Sequence, residues 1–265
     1  MMTIKIQVHE DIRYTNDGNR EHWLDIYFPQ ICPAVLPLVV YVHGGAWRTG
    51  DKAEFSHIAE GLIGAANNRL AVAVVNYTLS TRTEDSIRHP GHLNDVIKAV
   101  KFLVTDQDYP GRSIVDTRRI FLVGHSAGAH MTALMALAPQ PAFQYLGNIR
   151  GVVGVGGIYN IPKLLKTNPD YSDFIDMAFV KGQHQADSPH YAAKVMLAAA
   201  SHVRFLVVNS AGDELVGSDQ ATDFASQLVE TGYRDVTLIV RDLGTHEGTL
   251  GRRELWEIVV GFIFN

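Results

Sequence analysis

A serine flanked by two glycines, placed between a predicted strand and a predicted helix, is the feature that most constrains how this chain folds. The motif reads Gly124-His125-Ser126-Ala127-Gly128. It follows the strand-type run 118–123 and precedes the segment 129–138, which is rich in strong helix formers. Because glycine has no Cβ, the strand and the helix can pass very close to each other at both glycines. The pattern predicts a sharp strand-to-helix turn that projects the serine hydroxyl from the edge of a sheet.

A G-x-S-x-G motif at such a turn is the nucleophile elbow of an α/β-hydrolase. The first N–H groups of the helix lack intrahelical partners, and the helix N-terminus carries a partial positive charge, so both favour an oxyanion beside the serine. A chance match of three fixed letters is the competing interpretation, and the strand-helix context argues against it. The motif thus predicts Ser126 as a nucleophile in acyl-transfer chemistry.

Strands alternate with helices along the rest of the chain, which predicts an α/β fold: a mostly parallel central sheet with helices on both faces. The first two strands flank a tight turn at 16–19 and are predicted to form an antiparallel edge. The predicted strands are 4–9, 23–28, 38–42, 70–77, 118–123, 150–155, 205–209 and 236–240. The predicted helices are 52–66, one within 84–104, the elbow helix, 218–231 and 254–264.

The segment 156–190 fits this alternation poorly, because it contains three prolines and a cluster of large apolar side chains. We interpret it as a small helical excursion over the site within a single domain, 1–265, rather than as a separate domain. Its aromatic side chains either pack the excursion onto the sheet or face a substrate, and the sequence does not decide which.

Composition excludes several classes of function. The chain has 265 residues, enough for one substantial core, with 46% hydrophobic and 19% charged residues, as in globular proteins. A net charge of −5 without a basic block predicts no nucleic-acid partner. The absence of a run of about 20 apolar residues or a secretory signal predicts no membrane partner and a cytoplasmic location. The lone cysteine, Cys32, allows no internal disulfide, and no metal or cofactor is expected; a homodimer is left open.

The serine needs a base and an acid, which follow in the order Ser, then Asp or Glu, then His in this fold. His246 comes after the strand 236–240 and before the last helix, and a capping or surface role is the alternative. Asp213 comes just after the strand 205–209. Glu214 is its neighbour and competitor, but only one of the two acids can point at the histidine. The remaining late histidines do not follow a strand beyond the acid: His184, His190 and His202.

A second set of oxyanion donors is expected in the loop after an early strand. Here that loop is His43-Gly44-Gly45-Ala46-Trp47. The predicted donors are the N–H groups of Gly45 or Ala46, with help from Gly44, together with that of Ala127; such donors typically contribute about 3 kcal/mol each to transition-state stabilisation. His43 is expected to fix the loop.

Aromatic side chains are candidates for holding a substrate. Trp47 either packs the loop or walls the pocket, and it is assigned here to substrate binding with Tyr159 and Phe174. Arg48 and Lys52 are candidates for binding a charged end of a substrate, although a solvated surface role is the competing interpretation for each.

The two glycine motifs together resemble those of the hormone-sensitive-lipase-like esterases and, more closely, those of the kynurenine formamidases (arylformamidases) of fungi. The resemblance covers nearly the whole chain. Its finer points are Val75-Asn76-Tyr77, Gly156-Gly157-Ile158-Tyr159-Asn160-Ile161, Ala178-Phe179 leading to Ser188-Pro189, and Gly212-Asp213-Glu214-Leu215-Val216. It implies hydrolysis of N-formylkynurenine to kynurenine and formate, with Ser126 as nucleophile, Asp213 as acid and His246 as base.

Two other functions compete with this expectation. A carboxylesterase acting on small acyl or aryl esters would use the same chemistry in a different pocket, so the expected partner is a small aromatic amide or ester. A binding protein that keeps the hydrolase fold without turnover typically loses a member of the triad, whereas all three residues are present here.

Overall fold

The computed structural model describes residues 5–32, 34–83, 86–137, 145–194 and 202–265. An eight-stranded sheet lies at its centre. The strands are β1 (Ile6–Arg13), β2 (Trp23–Pro29), β3 (Leu36–Val42), β4 (Ala71–Val75), β5 (Val115–His125), β6 (Ile149–Val155), β7 (Arg204–Ser210) and β8 (Val236–Arg241). Their spatial order is β1-β2-β4-β3-β5-β6-β7-β8. Strands β3 to β8 run parallel, while β1 and β2 form the predicted antiparallel edge. The predicted α/β-hydrolase sheet is thereby confirmed.

Helices cover both faces of this sheet. They are α1 (Ser56–Ala65), α2 (Gly91–Thr105), α3 (Ala127–Leu137), α4 (Ile161–Thr167), α5 (Ser172–Ala178), α6 (Pro189–Ala192), α7 (Ser218–Glu230) and α8 (Arg253–Phe264). Apolar side chains of α1 and α8 pack in the core on one face, and those of α2, α3 and α7 pack in the core on the other. In the described ranges, none of the helices combines the length and the apolar character that a bilayer crossing needs.

Strand β3 shows why the central strands read as continuous apolar runs. Val39 and Tyr41 belong to the core on one face, whereas Val40 and Val42 belong to the core on the other. All four are essentially inaccessible to solvent. Side chains alternate between the two faces of a strand, so a strand that is covered on both sides needs apolar residues at every position.

Several boundaries differ from the sequence-based expectations. Strand β1 extends to Arg13 because it pairs with β2 beyond an irregularity between His9 and Ile12. The helix predicted at 52–66 begins as α1 only at Ser56, because Lys52–Phe55 forms a tighter turn whose cap is the Asp51 side chain. The helix predicted within 84–104 is α2, which starts at residue 91. Positions 4, 84–85 and 138 of these expectations lie outside the described residues.

The segment 156–190 contains the short helices α4 and α5, and α6 starts near its end. Asn160 caps α4, because its side chain accepts a hydrogen bond from the N–H of Lys163, and Pro162 occupies the first turn, where its missing N–H costs nothing. The proline-rich composition thus yields short helices rather than a strand-helix repeat. A lid function for this segment stays a prediction.

Candidate active site

The nucleophile candidate lies on a strained turn between β5 and α3. Ser126 has a φ of +53°, in the left-handed region that side chains rarely adopt. Its N–H donates to the carbonyl of Val155 at 2.9 Å, and its carbonyl accepts from the N–H of His130 at 3.2 Å. A Cβ on Gly128 would overlap the carbonyl oxygen of Val42, so no larger residue fits there. Close packing of strand against helix thus holds the serine in a conformation that costs energy locally.

Asp213 and His246 form a buried hydrogen-bonded pair. Nδ1 of His246 donates to Oδ2 of Asp213 at 2.7 Å, and both side chains are at most 3% exposed. The other oxygen, Oδ1, accepts from the N–H groups of Leu215 at 3.0 Å and Val216 at 2.8 Å. Burial opposes ionisation of Asp213, but these hydrogen bonds outweigh it, so its pKa lies below the usual value. Nε2 of His246 is then the nitrogen that can accept a proton.

Two further side chains hold the backbone of His246, and the sequence did not reveal either role. Oε2 of Glu214 accepts from the N–H of His246 at 3.0 Å. Nε2 of His125 donates to the carbonyl of His246 at 3.2 Å. Burial, reinforced by the neighbouring His246, lowers the pKa of His125 to about 3, so this ring is neutral at pH 7. Glu214 was expected only as a competitor of Asp213. Its position next to Asp213 was the one sequence feature that could have indicated a role in holding His246.

The loop after β3 turns sharply beside the serine. Gly45, Ala46 and Trp47 have φ values of +96°, +52° and +58°. Gly45 and Ala46 line the same cleft as Ser126. A Cβ on Gly44 would lie 3.1 Å from that of Ser126, so this glycine permits the close approach of loop and elbow, although it does not itself line the cleft.

Ala127 begins α3, which makes its N–H one of the four without an intrahelical partner. The oxyanion hole, with donors from Gly45 or Ala46 and from Ala127 and with help from Gly44, remains a prediction. The backbone positions of Gly45, Ala46 and Ala127 suit it.

A buried aromatic sandwich supports this loop. The ring of His43 is fully buried and stacks between Phe55, at a centroid distance of 5.3 Å, and Tyr77, at 4.5 Å. Nδ1 of His43 donates to the carbonyl of Gly44 at 2.8 Å, and burial lowers the pKa of His43 to about 4. The Tyr77 hydroxyl lies 2.9 Å from the same Gly44 carbonyl oxygen. His43 therefore occupies a position from which it fixes the loop, as expected.

Ser126 and His246 face one open cleft of about 330 Å³, a size suited to a small molecule. Phe174, from α5, lines this cleft, and its role in substrate binding stays a prediction. Its ring lies 5.1 Å from that of Tyr171, which also lines the cleft. Among the described residues, the lining is Gly45, Ala46, Arg48, Thr49, Ser126, Ile158, Tyr171, Phe174, Leu215, Val216, His246 and Glu247.

Two predicted substrate contacts are wrong. Trp47 is completely buried, and its ring meets those of His130 at 5.1 Å and Phe179 at 4.9 Å edge to face. Tyr159 is also buried, and it stacks on Phe224 at 4.2 Å. Neither side chain lines the cleft. Trp47 packs the loop onto the core, which was the other role considered for it, and Tyr159 packs the start of the excursion onto α7.

Of the two candidate cations, only Arg48 belongs to the cleft. Lys52 is buried elsewhere, where its Nζ lies 2.7 Å from Oδ1 of Asp11 and 2.8 Å from Oδ1 of Asp25. Its charge is thus matched within the fold by two carboxylates. Lys52 therefore has neither of the two roles considered for it, since it is buried and does not line the cleft.

One group of side chains in the described part of the chain has the donors that a metal ion uses. Nitrogens of His125 and His246 and a carboxylate oxygen of Glu247 lie within 4.8 Å of one another. Because Nδ1 of His246 is hydrogen-bonded to Asp213, a metal would take the Nε2 lone pair. That lone pair is the one a base needs, so a metal bound here would block proton transfer.

Comparison with known proteins places this geometry in context. Residues 24–228 match the family model described as BD-FAE. A kynurenine formamidase of Meyerozyma guilliermondii is 27% identical, over 85% of this chain and 83% of the relative. The probable carboxylic ester hydrolase LipM of Mycobacterium tuberculosis is 30% identical, over 85% of this chain and 53% of that protein. A truncated carbohydrate esterase from gut microbiota has the same fold, with a TM-score of 0.79, 18% identity, and coverage of 97% of this chain and 95% of the other.

Proposed function

The chain belongs to the BD-FAE family and is a hydrolase, and we propose that it hydrolyses N-formyl-L-kynurenine to L-kynurenine and formate. Ser126, His246 and Asp213 act as nucleophile, base and orienting acid in this proposal. The observation that carries it is the single cleft that brings the strained serine and the Asp213-bound histidine beside the aromatic ring of Phe174.

The first half of the proposed reaction forms a formyl-enzyme. The hydroxyl oxygen of Ser126 attacks the formyl carbon while Nε2 of His246 takes the hydroxyl proton. The oxyanion accepts hydrogen bonds from the N–H groups of Gly45, Ala46 and Ala127. The carbon–nitrogen bond then breaks, and His246 returns the proton to the departing arylamine.

The second half restores the enzyme. Water attacks the formyl ester and gives a proton to Nε2 of His246, and the bond to the Ser126 oxygen breaks as that oxygen regains the proton. Formate leaves. Asp213 stays ionised throughout and stabilises the imidazolium of His246 at 2.7 Å.

A carboxylesterase acting on small acyl or aryl esters is the second candidate. The apolar side chains of Ile158, Leu215 and Val216 line the cleft and would hold a short acyl chain equally well. The same serine chemistry would serve, and the likeness to LipM supports this alternative.

The test compares kcat/KM for N-formyl-L-kynurenine with the values for p-nitrophenyl acetate and p-nitrophenyl butyrate, with the Ser126→Ala protein as the blank. A value for the formamide far above those for the esters supports the arylformamidase. Good ester turnover with negligible formamide turnover would reject it in favour of the carboxylesterase. If none of these substrates shows turnover that depends on Ser126, the alternative of a non-catalytic binding protein is favoured.

A further inference from the structure

The cleft carries charge of both signs beside its nucleophile. Apart from His246, the described residues of its lining include two charged side chains, Arg48 and Glu247. The remaining walls are backbone, hydroxyl, apolar and aromatic groups. Hydrolysis of a simple ester or anilide needs neither charge, whereas a ligand with charges of its own can use both.

The positive charge at Arg48 is only partly matched. Its Nη1 donates to Oδ2 of Asp173 at 2.9 Å. The same carboxylate also accepts from Nη2 of Arg82, with its two oxygens at 2.7 Å and 2.9 Å. Two guanidinium groups therefore share one carboxylate, which leaves a net charge of +1 at this rim of the cleft. The bonds from Arg82 and then from Arg48 lower the pKa of Asp173, so this charge balance holds near pH 7.

An aromatic ring fixes the direction of the Arg48 side chain. The guanidinium carbon lies 5.4 Å from the centroid of the Phe174 ring, within the range of a cation–π contact. Phe174 lines the cleft, so this contact and the Asp173 bond together hold the guanidinium at the cleft wall. A guanidinium has five N–H donors, and those not bonded to Asp173 suit a second carboxylate.

Glu247 supplies the opposite charge, next to the base. It follows His246 in the chain, is exposed, and lines the same cleft. Within the described ranges, no side chain or N–H group donates to its carboxylate at hydrogen-bond distance. An exposed, unpaired carboxylate at a binding cleft can accept an ammonium group without breaking an existing bond.

We propose that Arg48 and Glu247 recognise the α-amino-acid end of the substrate, Arg48 binding its carboxylate and Glu247 its ammonium group. The inference rests on the proposed formamidase function and adds to it the basis of selectivity. The aryl ring lies along Phe174 and Tyr171 while the formyl group reaches Ser126. A substrate with a carboxylate, an ammonium group and an aryl formamide thus has a partner for Arg48, for Glu247, and for the aromatic rings and Ser126.

The test pairs two variants with substrates that lack one charge each. The variants are Arg48→Gln and Glu247→Gln. The substrates are N-formyl-L-kynurenine, N-formylkynuramine, which lacks the carboxylate, and the desamino analogue, which lacks the ammonium group. Arg118→Gln and Glu54→Gln are the matched controls, because each removes the same charge from the exposed surface away from the cleft. kcat and KM are measured for every pair, and melting temperature checks the fold.

Arg48→Gln should raise KM about tenfold or more for the two substrates with a carboxylate and leave N-formylkynuramine within about twofold. Glu247→Gln should do the same for the two substrates with an ammonium group and spare the desamino analogue. Equal losses on all three substrates, or no loss beyond the controls, would overturn the inference while wild-type formamide turnover still supported the function. If the wild-type protein hydrolysed none of the three, the proposed function and this inference would fail together.

Discussion

Asp213 and Glu214, which are adjacent in the chain, hold different parts of His246. Asp213 accepts a hydrogen bond from the ring of His246 and two more from the backbone N–H groups of Leu215 and Val216. Glu214 instead accepts from the backbone N–H of His246. One acid is therefore placed to set the ring's tautomer and charge, and the other only to set the position of its backbone. The two roles therefore predict different losses of kcat when each acid is replaced.

Asp213→Asn should lower kcat by about ten-thousandfold, because an amide can hold the wrong imidazole tautomer and cannot stabilise the imidazolium. Glu214→Gln keeps an acceptor oxygen for the His246 N–H and should cost no more than about tenfold. Steady-state kinetics at pH 7.5 on the best substrate measures both. A larger loss for Glu214→Gln than for Asp213→Asn would mean that the acids have been assigned the wrong way round.

The sequence predicts the position of these residues where chain order and motif spacing determine it. Asp213 and His246 each follow a predicted strand, and parallel strands end at one edge of a sheet, so their meeting could be anticipated. The direction in which a side chain points could not be anticipated in this way. Trp47 turns into the core because its backbone is left-handed, and no letter in the sequence indicates that conformation.

At the scale of elements, the end of β4 supports the loop that follows β3. Tyr77, two residues beyond β4, places its hydroxyl 3.1 Å from the carbonyl oxygen of His43 and 2.9 Å from that of Gly44. The two strands are parallel neighbours, which brings the segments that follow them together. The motif that contains Tyr77 was noticeable in the sequence, but its function required knowledge of the strand order.

Tyr77→Phe removes that hydroxyl and should reduce kcat about tenfold, because the loop that carries the proposed oxyanion donors loses its anchor. The expected cost in stability is about 1–2 kcal/mol. Tyr109→Phe is the matched control: its buried hydroxyl donates to the Leu103 carbonyl at 3.0 Å, away from the cleft. Kinetics and urea unfolding separate the two effects. Equal kcat for the two variants would show that the loop does not depend on Tyr77.

At the scale of the whole molecule, the chain buries several neutral histidines. Burial lowers the pKa of His43, His89 and His92 to about 4, and burial together with His246 lowers that of His125 to about 3. The same rings have a pKa near 6.5 in an unfolded chain. Between about pH 6.5 and pH 4 the unfolded state therefore binds more protons than the folded state does, and stability falls as the pH falls.

Unfolding free energy should drop by up to about 1.4 kcal/mol per pH unit for each such histidine as the pH is lowered through this window. Urea unfolding at pH 7.5 and at pH 5.0 measures the drop. His89→Gln should make the dependence less steep, whereas His57→Gln, at an exposed position, should not. A free energy that is unchanged between the two pH values would contradict the burial of neutral rings.

The central claim is that Ser126 hydrolyses an aryl formamide. The most direct test follows the release of L-kynurenine and formate from N-formyl-L-kynurenine by the wild-type protein and by Ser126→Ala at equal concentration, with circular dichroism to confirm that both are folded. We expect steady wild-type turnover and a loss of kcat of about a million-fold in the variant. Wild-type turnover that falls only a few-fold in Ser126→Ala, or no formate release by the wild-type protein, would contradict the claim.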